Sequence, residues 1–127
     1  MANILYIDDI LEREKNRKVF IENVKNLGHN PLTAVNGLEG WNIINTQNVD
    51  LIFTDWDMPK ATGYQLLIGM NDKDFKIPLV VCSTYVDTEK EALEKAVAST
   101  KYQHVIGYCS SLNKEEIKKY IDICKLK

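Results

Sequence analysis

Short apolar runs alternating with longer amphipathic segments constrain this chain more than any other feature. The runs occupy residues 4–7, 31–35, 51–54, 78–82 and 105–109, each the length of a buried strand rather than a helix. Between them, apolar residues recur at helical spacing: Phe20, Val24 and Leu27, then Leu38, Trp41 and Ile44, then Leu66, Leu67 and Met70. Leu93 and Val97 continue the pattern, and Ile117, Tyr120, Ile121 and Cys124 make the most regular stripe. Gly28 ends the first of these segments, and Thr62-x-x-Gln65 and Thr88-x-x-Glu91 read as capping boxes that open two others. Pro31 suits an edge strand, because proline cannot donate to a sheet ladder.

Strands alternating with helices across short loops imply parallel pairing. Strands apolar on both faces imply helices on both sides of the sheet. Right-handed crossovers then give an α/β doubly wound three-layer sandwich with a five-stranded parallel sheet. The pattern occupies residues 1–127 without repeats or linkers, so one domain is expected over that whole span.

Composition removes several classes of function. The formal charge is −2, with acids and bases interspersed, so no basic field invites nucleic acid. No apolar stretch approaches the roughly 20 residues of a membrane helix, and the opening MANILYIDD lacks the basic and long apolar regions of a signal peptide. Neither nucleic acid nor membrane is therefore an expected partner. The cysteines Cys82, Cys109 and Cys124 have unrelated spacings and form no Cys-x-x-Cys. They read as small buried hydrophobes in a reducing, cytoplasmic compartment.

The apolar run LIFT passes straight into Asp55, and Asp57 follows two residues on. The first run likewise ends in Asp8 and Asp9. Ligands of an open α/β sheet sit outside the carboxyl ends of its strands. If the first and third strands are neighbours, three carboxylates converge at one tip with Asp57 close by. Like charges so placed need a cation or protons, and an oxygen-rich pocket of this kind suits Mg2+. A lone strand-end Asp more often caps the next helix, and Asp9 is a candidate for that work as well.

The segments ILYIDD, AVNGLEGW, DLIFTDWDMPKATGYQLL and IPLVVCST resemble, in order and spacing, the receiver domain of two-component response regulators. The resemblance covers nearly all of the chain and implies a flavodoxin-like fold with strand order 2-1-3-4-5, similar to single-domain chemotaxis regulators. It implies that Asp55 is the phosphoacceptor, forming an aspartyl phosphate. Asp9 would be a direct Mg2+ ligand, Asp8 would act through water, and Asp57 would offer its backbone carbonyl. Ser83 matches the switch hydroxyl that bonds the phosphoryl group, and Tyr108 the aromatic residue that moves with it. The implied partners are a sensor histidine kinase or phosphotransfer protein and a downstream protein target. The implied role is signalling, not enzymatic turnover beyond self-phosphorylation and self-dephosphorylation.

The chain departs from the family pattern in four places. Ile10 stands where an acid usually follows the acidic pair, Thr84 where a small alanine follows the switch hydroxyl, and Asp57 adds an acid two residues past the acceptor. At the usual fifth-strand lysine stands Ser110 or Ser111, depending on the direction of counting. That loss leaves open a pseudo-receiver, an interaction module that works without phosphorylation. The Asp55-Trp56-Asp57 triplet also permits a haloacid-dehalogenase-type phosphohydrolase, which would want further motifs and more chain. His29 and His104 read as surface residues. Trp41 and Trp56 read as packing residues, with Trp56 at a pocket rim.

Overall fold

Period-2 burial along the strands builds two cores back to back. A computed structural model describes residues 1–12, 14–56 and 62–127. In chain order the elements are β1 (Asn3–Ile7), a 3-10 turn (Asp9–Glu12), α1 (Glu14–Asn26), β2 (Asn30–Ala34) and α2 (Gly37–Thr46). There follow β3 (Leu51–Asp55), α3 (Gly63–Asp72), β4 (Leu79–Cys82), α4 (Lys90–Ser99), β5 (Val105–Cys109) and α5 (Lys114–Ile123). The strands form one parallel sheet in the order β2-β1-β3-β4-β5. Pro31 lies in β2, at the edge, where its missing N–H is harmless.

Leu5 and Ile7 of β1, Ile52 of β3 and Val81 of β4 pack under Ile44, Leu67, Met70 and Val97 of α2, α3 and α4. Ile4, Leu51, Phe53 and Val80 point the other way, against Phe20 and Val24 of α1 and Ile117, Tyr120 and Ile121 of α5. The helices therefore divide three to one face and two to the other. Each such side chain, fully buried, contributes roughly 1.5–3 kcal/mol relative to exposure. Phe53 and Tyr120 add an edge-on aromatic pair with ring centres 6.1 Å apart.

Between β4 and β5 the register slips by one residue: Leu79 pairs with Val105 but Val80 with Gly107. The skipped Ile106 is partly exposed, and the slip keeps Val105 and Tyr108 on the α2–α4 side. At Gly107 a Cβ would lie 2.2 Å from the Tyr120 hydroxyl, so only glycine lets α5 approach β5 this closely.

The capping box at α3 is reciprocal: Gln65 N–H donates to Thr62 Oγ1 (3.3 Å) and Thr62 N–H to Gln65 Oε1 (2.9 Å). The second expected box does not form. The α4 helix starts at Lys90, and its N-cap Glu89 makes no side-chain capping bond. The reason is a preceding turn, in which Thr88 and Glu89 N–H both donate to Tyr85 C=O. His29 also corrects the expectation of a surface role. It is buried, and its Nδ1 accepts from Ala2 N–H at 3.0 Å, tying the start of β1 to the α1–β2 turn.

Candidate functional site

Alternation decides which face each strand-end side chain takes. Asp8 is in phase with Ile4 and Tyr6, and Asp55 with Leu51 and Phe53, so both acids leave the sheet on the α1/α5 side. Strand pairing continues past the formal ends: Asp8 N–H donates to Ala34 C=O and Trp56 N–H to Cys82 C=O. Because β1 and β3 are neighbours, Asp8, Asp9 and Asp55 each bring a carboxylate oxygen within 4.8 Å of the others'. The third strand of the expectation and the first do meet, and their acids meet with them. Asp57 lies outside the described residues, and with it the second acid on which the phosphohydrolase alternative rests.

Asp8 is the buried member of the trio, Asp55 is half-buried and Asp9 exposed. Asp8 accepts two hydrogen bonds, from the Tyr6 hydroxyl to Oδ2 (2.7 Å) and from Ile10 N–H to Oδ1 (2.9 Å). The second caps the start of the 3-10 turn, so Asp8 does capping work here. Burial raises the Asp8 carboxyl above its ordinary value, and Asp9 adds to the rise. The two hydrogen bonds pull the other way without reversing it. Burial also holds the Tyr6 phenol strongly protonated, with Cys82, Asp8 and Asp55 pushing in the same direction.

A hard divalent cation fits this donor set. It needs several oxygens, keeps waters, and relieves the repulsion that raises Asp8. Asp9, exposed at the mouth, suits direct contact with such an ion. Asp8 already has one bond to each oxygen, which suits contact through water.

Ser83 and Tyr108 are out of phase with the acids. Ser83 follows Cys82, the register partner of Asp55, and its N–H donates to Cys109 C=O. Its Oγ accepts from Tyr85 N–H at 3.1 Å, and it lines a cavity of about 250 Å3 with Trp56, Tyr85 and Glu89. Trp56 thus stands at a pocket rim as expected, with its ring edge-on to Tyr64. Tyr108 packs on the α2–α4 core, where burial, and secondarily Glu94, raises its phenol. Ser110 and Ser111 both line a cavity of about 380 Å3 that also contains Tyr6, Asp8, Ile10 and Thr84. Every residue standing for a departure from the family pattern, among those described, is thus a wall of one hollow.

Gly63 brings α3 against β3. Its N–H donates to Trp56 C=O at 3.0 Å, and a Cβ there would lie 2.9 Å from Asp55 C=O. Two features escaped the reading of the residues. Tyr6 sits two residues before Asp8 in an otherwise aliphatic run, which is the spacing that puts both on one strand face. Cys82 and Cys109 end successive strands, and their sulfurs lie 3.2 Å apart. Spacing along the chain could not show that pairing, because it depends on the slipped register of β5.

Residues 4–105 match the family described as the response regulator receiver domain. The sensor histidine kinase RcsC of Escherichia coli (strain K12) is 24% identical over 98 residues, covering 76% of this chain but only 10% of that protein. The chain thus spans about a tenth of such a relative's length. The receiver domain of the Francisella response regulator 1452 superposes with a TM-score of 0.78 at 22% identity, covering 98% of this chain and 96% of that one. The response regulator TrrA of Thermotoga maritima, solved in complex with Mg2+-BeF, gives a TM-score of 0.75 at 22% identity, covering 98% and 99%. At such identities the likeness is one of fold.

Proposed function

Because the chain belongs to the response regulator receiver domain family of two-component signalling, we propose that it is a phosphoacceptor whose Asp55 takes a phosphoryl group in the presence of Mg2+. The observation that carries this reading is the meeting of Asp8, Asp9 and Asp55 at the carboxyl tip of neighbouring strands. Asp9 and Asp55 would hold the ion directly, Asp8 through water, and Asp57 through its backbone carbonyl. When bound, Mg2+ offsets the charge between an anionic nucleophile and the oxygens of the incoming phosphoryl group.

The remaining work falls to the chain itself. An Asp55 carboxylate oxygen attacks phosphorus, an O–P bond forms, and the donor's bond to phosphorus breaks with its electron pair leaving on the donor. Tyr6 and Ile10 N–H hold Asp8 in place through this step. Ser83 turns its hydroxyl from Tyr85 N–H toward the phosphoryl oxygens, and Tyr108 follows on the α4 side. The added charge of about −1.5 to −2 biases that two-state arrangement. The donor is a sensor histidine kinase or phosphotransfer protein, a reading supported by the likeness to RcsC. The output is contact with a downstream protein around Tyr108 and α4, and the domain signals rather than turns over a substrate.

No helix among the described residues is long and apolar enough to cross a membrane, which accords with a cytoplasmic place for this domain. A second reading, the pseudo-receiver, is favoured by Ser110 and Ser111 on the wall of the Asp8 hollow, where the family carries a lysine. Intact-mass measurement with a small-molecule phosphodonor and Mg2+ separates the two, with Asp55→Asn as control. Gain of one phosphoryl group in the parent alone supports the phosphoacceptor. Mg2+ binding with no gain of phosphoryl gives the pseudo-receiver, and turnover of a small substrate at enzyme-like rates overturns both.

A further inference from the structure

We propose that Cys82 and Cys109 form a peroxide-sensitive dithiol, an oxidation site that closes to an intrachain disulfide between β4 and β5. The two are register partners on adjacent parallel strands, both on the α1/α5 face. Neighbouring strands run about 4.8 Å apart, within the Cα separations of about 4.4–6.8 Å that disulfides span. Their sulfurs are already 3.2 Å apart, so bond formation at about 2.05 Å asks for a shift of roughly 1.1 Å. Cys124, the third cysteine, lies on the far end of α5 and is only half-buried.

Both thiols are buried, but one borders an opening. Cys109 forms part of the wall of a cavity of about 310 Å3, together with Tyr108, Asp87, Glu116 and Lys119. That space admits a molecule as small as hydrogen peroxide, and Cys109 but not Cys82 lines it. The attacking role falls to Cys109, which lines that space, and the resolving role to Cys82, whose sulfur lies against that of Cys109.

The chemistry balances with peroxide as oxidant. The Cys109 sulfur attacks one peroxide oxygen and the O–O bond breaks. The departing hydroxide takes up the proton Cys109 had released, leaving a sulfenic acid and one water. The Cys82 sulfur then attacks Cys109 Sγ, the S–O bond breaks, and the Cys82 proton leaves with that oxygen as a second water. Two thiols lose one electron each and peroxide gains two. The resulting bond fixes the backbone on either side of Ser83 and Tyr108, which follow Cys82 and precede Cys109.

The test uses the full chain carrying Cys124→Ser, treated with hydrogen peroxide, then unfolded, alkylated and weighed intact. Before oxidation two alkyl groups are expected. Afterwards none is expected, with the loss of two hydrogen masses, a fragment joining residues 82 and 109, and recovery with dithiothreitol. The parent chain should retain one alkyl group, at Cys124. The oxidation is run without phosphodonor or Mg2+, since the site does not depend on the phosphoacceptor reading. Two alkyl groups after treatment, or added oxygen mass without the crosslink, would overturn the proposal.

Discussion

The Tyr6 hydroxyl donates to Asp8 Oδ2 across 2.7 Å, from two residues back on the same strand face. Hydrogen bonds to charged groups contribute about 1.5–3 kcal/mol. Tyr6→Phe should therefore lower metal-free stability by about 1–2 kcal/mol at pH 8, and by less at pH 4, where a protonated Asp8 loses the charged acceptor. Urea unfolding in EDTA at the two pH values checks this.

Asp8 gives the fold a pH dependence of determinate sign. Its folded carboxyl titrates above the ordinary aspartate value because it is buried. The native state thus holds this proton more tightly than the unfolded chain, so its contribution is full below about pH 3.9 and falls away as pH rises through the raised value. Asp8→Asn should gain stability over the parent progressively across that window in EDTA. A difference in melting temperature that stays constant with pH would refute the assignment.

Mg2+ should raise the melting temperature of the parent chain, and tenfold excess over its dissociation constant is worth about 1.4 kcal/mol. Asp9→Asn should be more stable than the parent without metal, because one of three clustered charges has gone. It should also lose most of the Mg2+ increment. Thermal scans with and without the ion measure both effects.

Ser110 and Ser111 share the Asp8 hollow, so a lysine introduced at either can reach toward the acids. A charge-assisted bond to phosphoryl oxygens is worth about 1.5–3 kcal/mol. Ser110→Lys or Ser111→Lys should therefore enlarge the phosphorylation-induced change in Trp56 fluorescence more than the rate of phosphoryl uptake.

Gly107→Ala places a methyl 2.2 Å from the Tyr120 hydroxyl and 2.6 Å from its ring. Overpacking of this kind typically costs about 1–3 kcal/mol. Combining it with Tyr120→Leu should cost less than the two single changes summed, as a double-mutant cycle in denaturant would show.

The strands and helices were readable because their signals are local: short apolar runs, stripes at helical spacing, and Pro31 where a ladder needs no donor. The acid cluster was readable because residues 8, 9 and 55 end strands whose adjacency the resemblance to receiver domains implied. Features that depend on contact across the fold were not. His29 looked like a surface residue because nothing near it in the chain announces the Ala2 N–H it accepts. Thr88 looked like a cap, but the turn that Tyr85 C=O closes holds it outside the helix. The cysteine pair required the register slip at Ile106, which no spacing along the chain encodes.

The sheet order also bears on how the protein is made. Strand β1 lies between β2 and β3, so both of its partners are complete once Asp55 has left the ribosome. Synthesis runs from the amino end at about 5–20 residues per second, which leaves seconds before β5 exists. The three acids thus all emerge before the residues expected to respond to them, Ser83 and Tyr108, and the core beneath them is completed only when α5 follows.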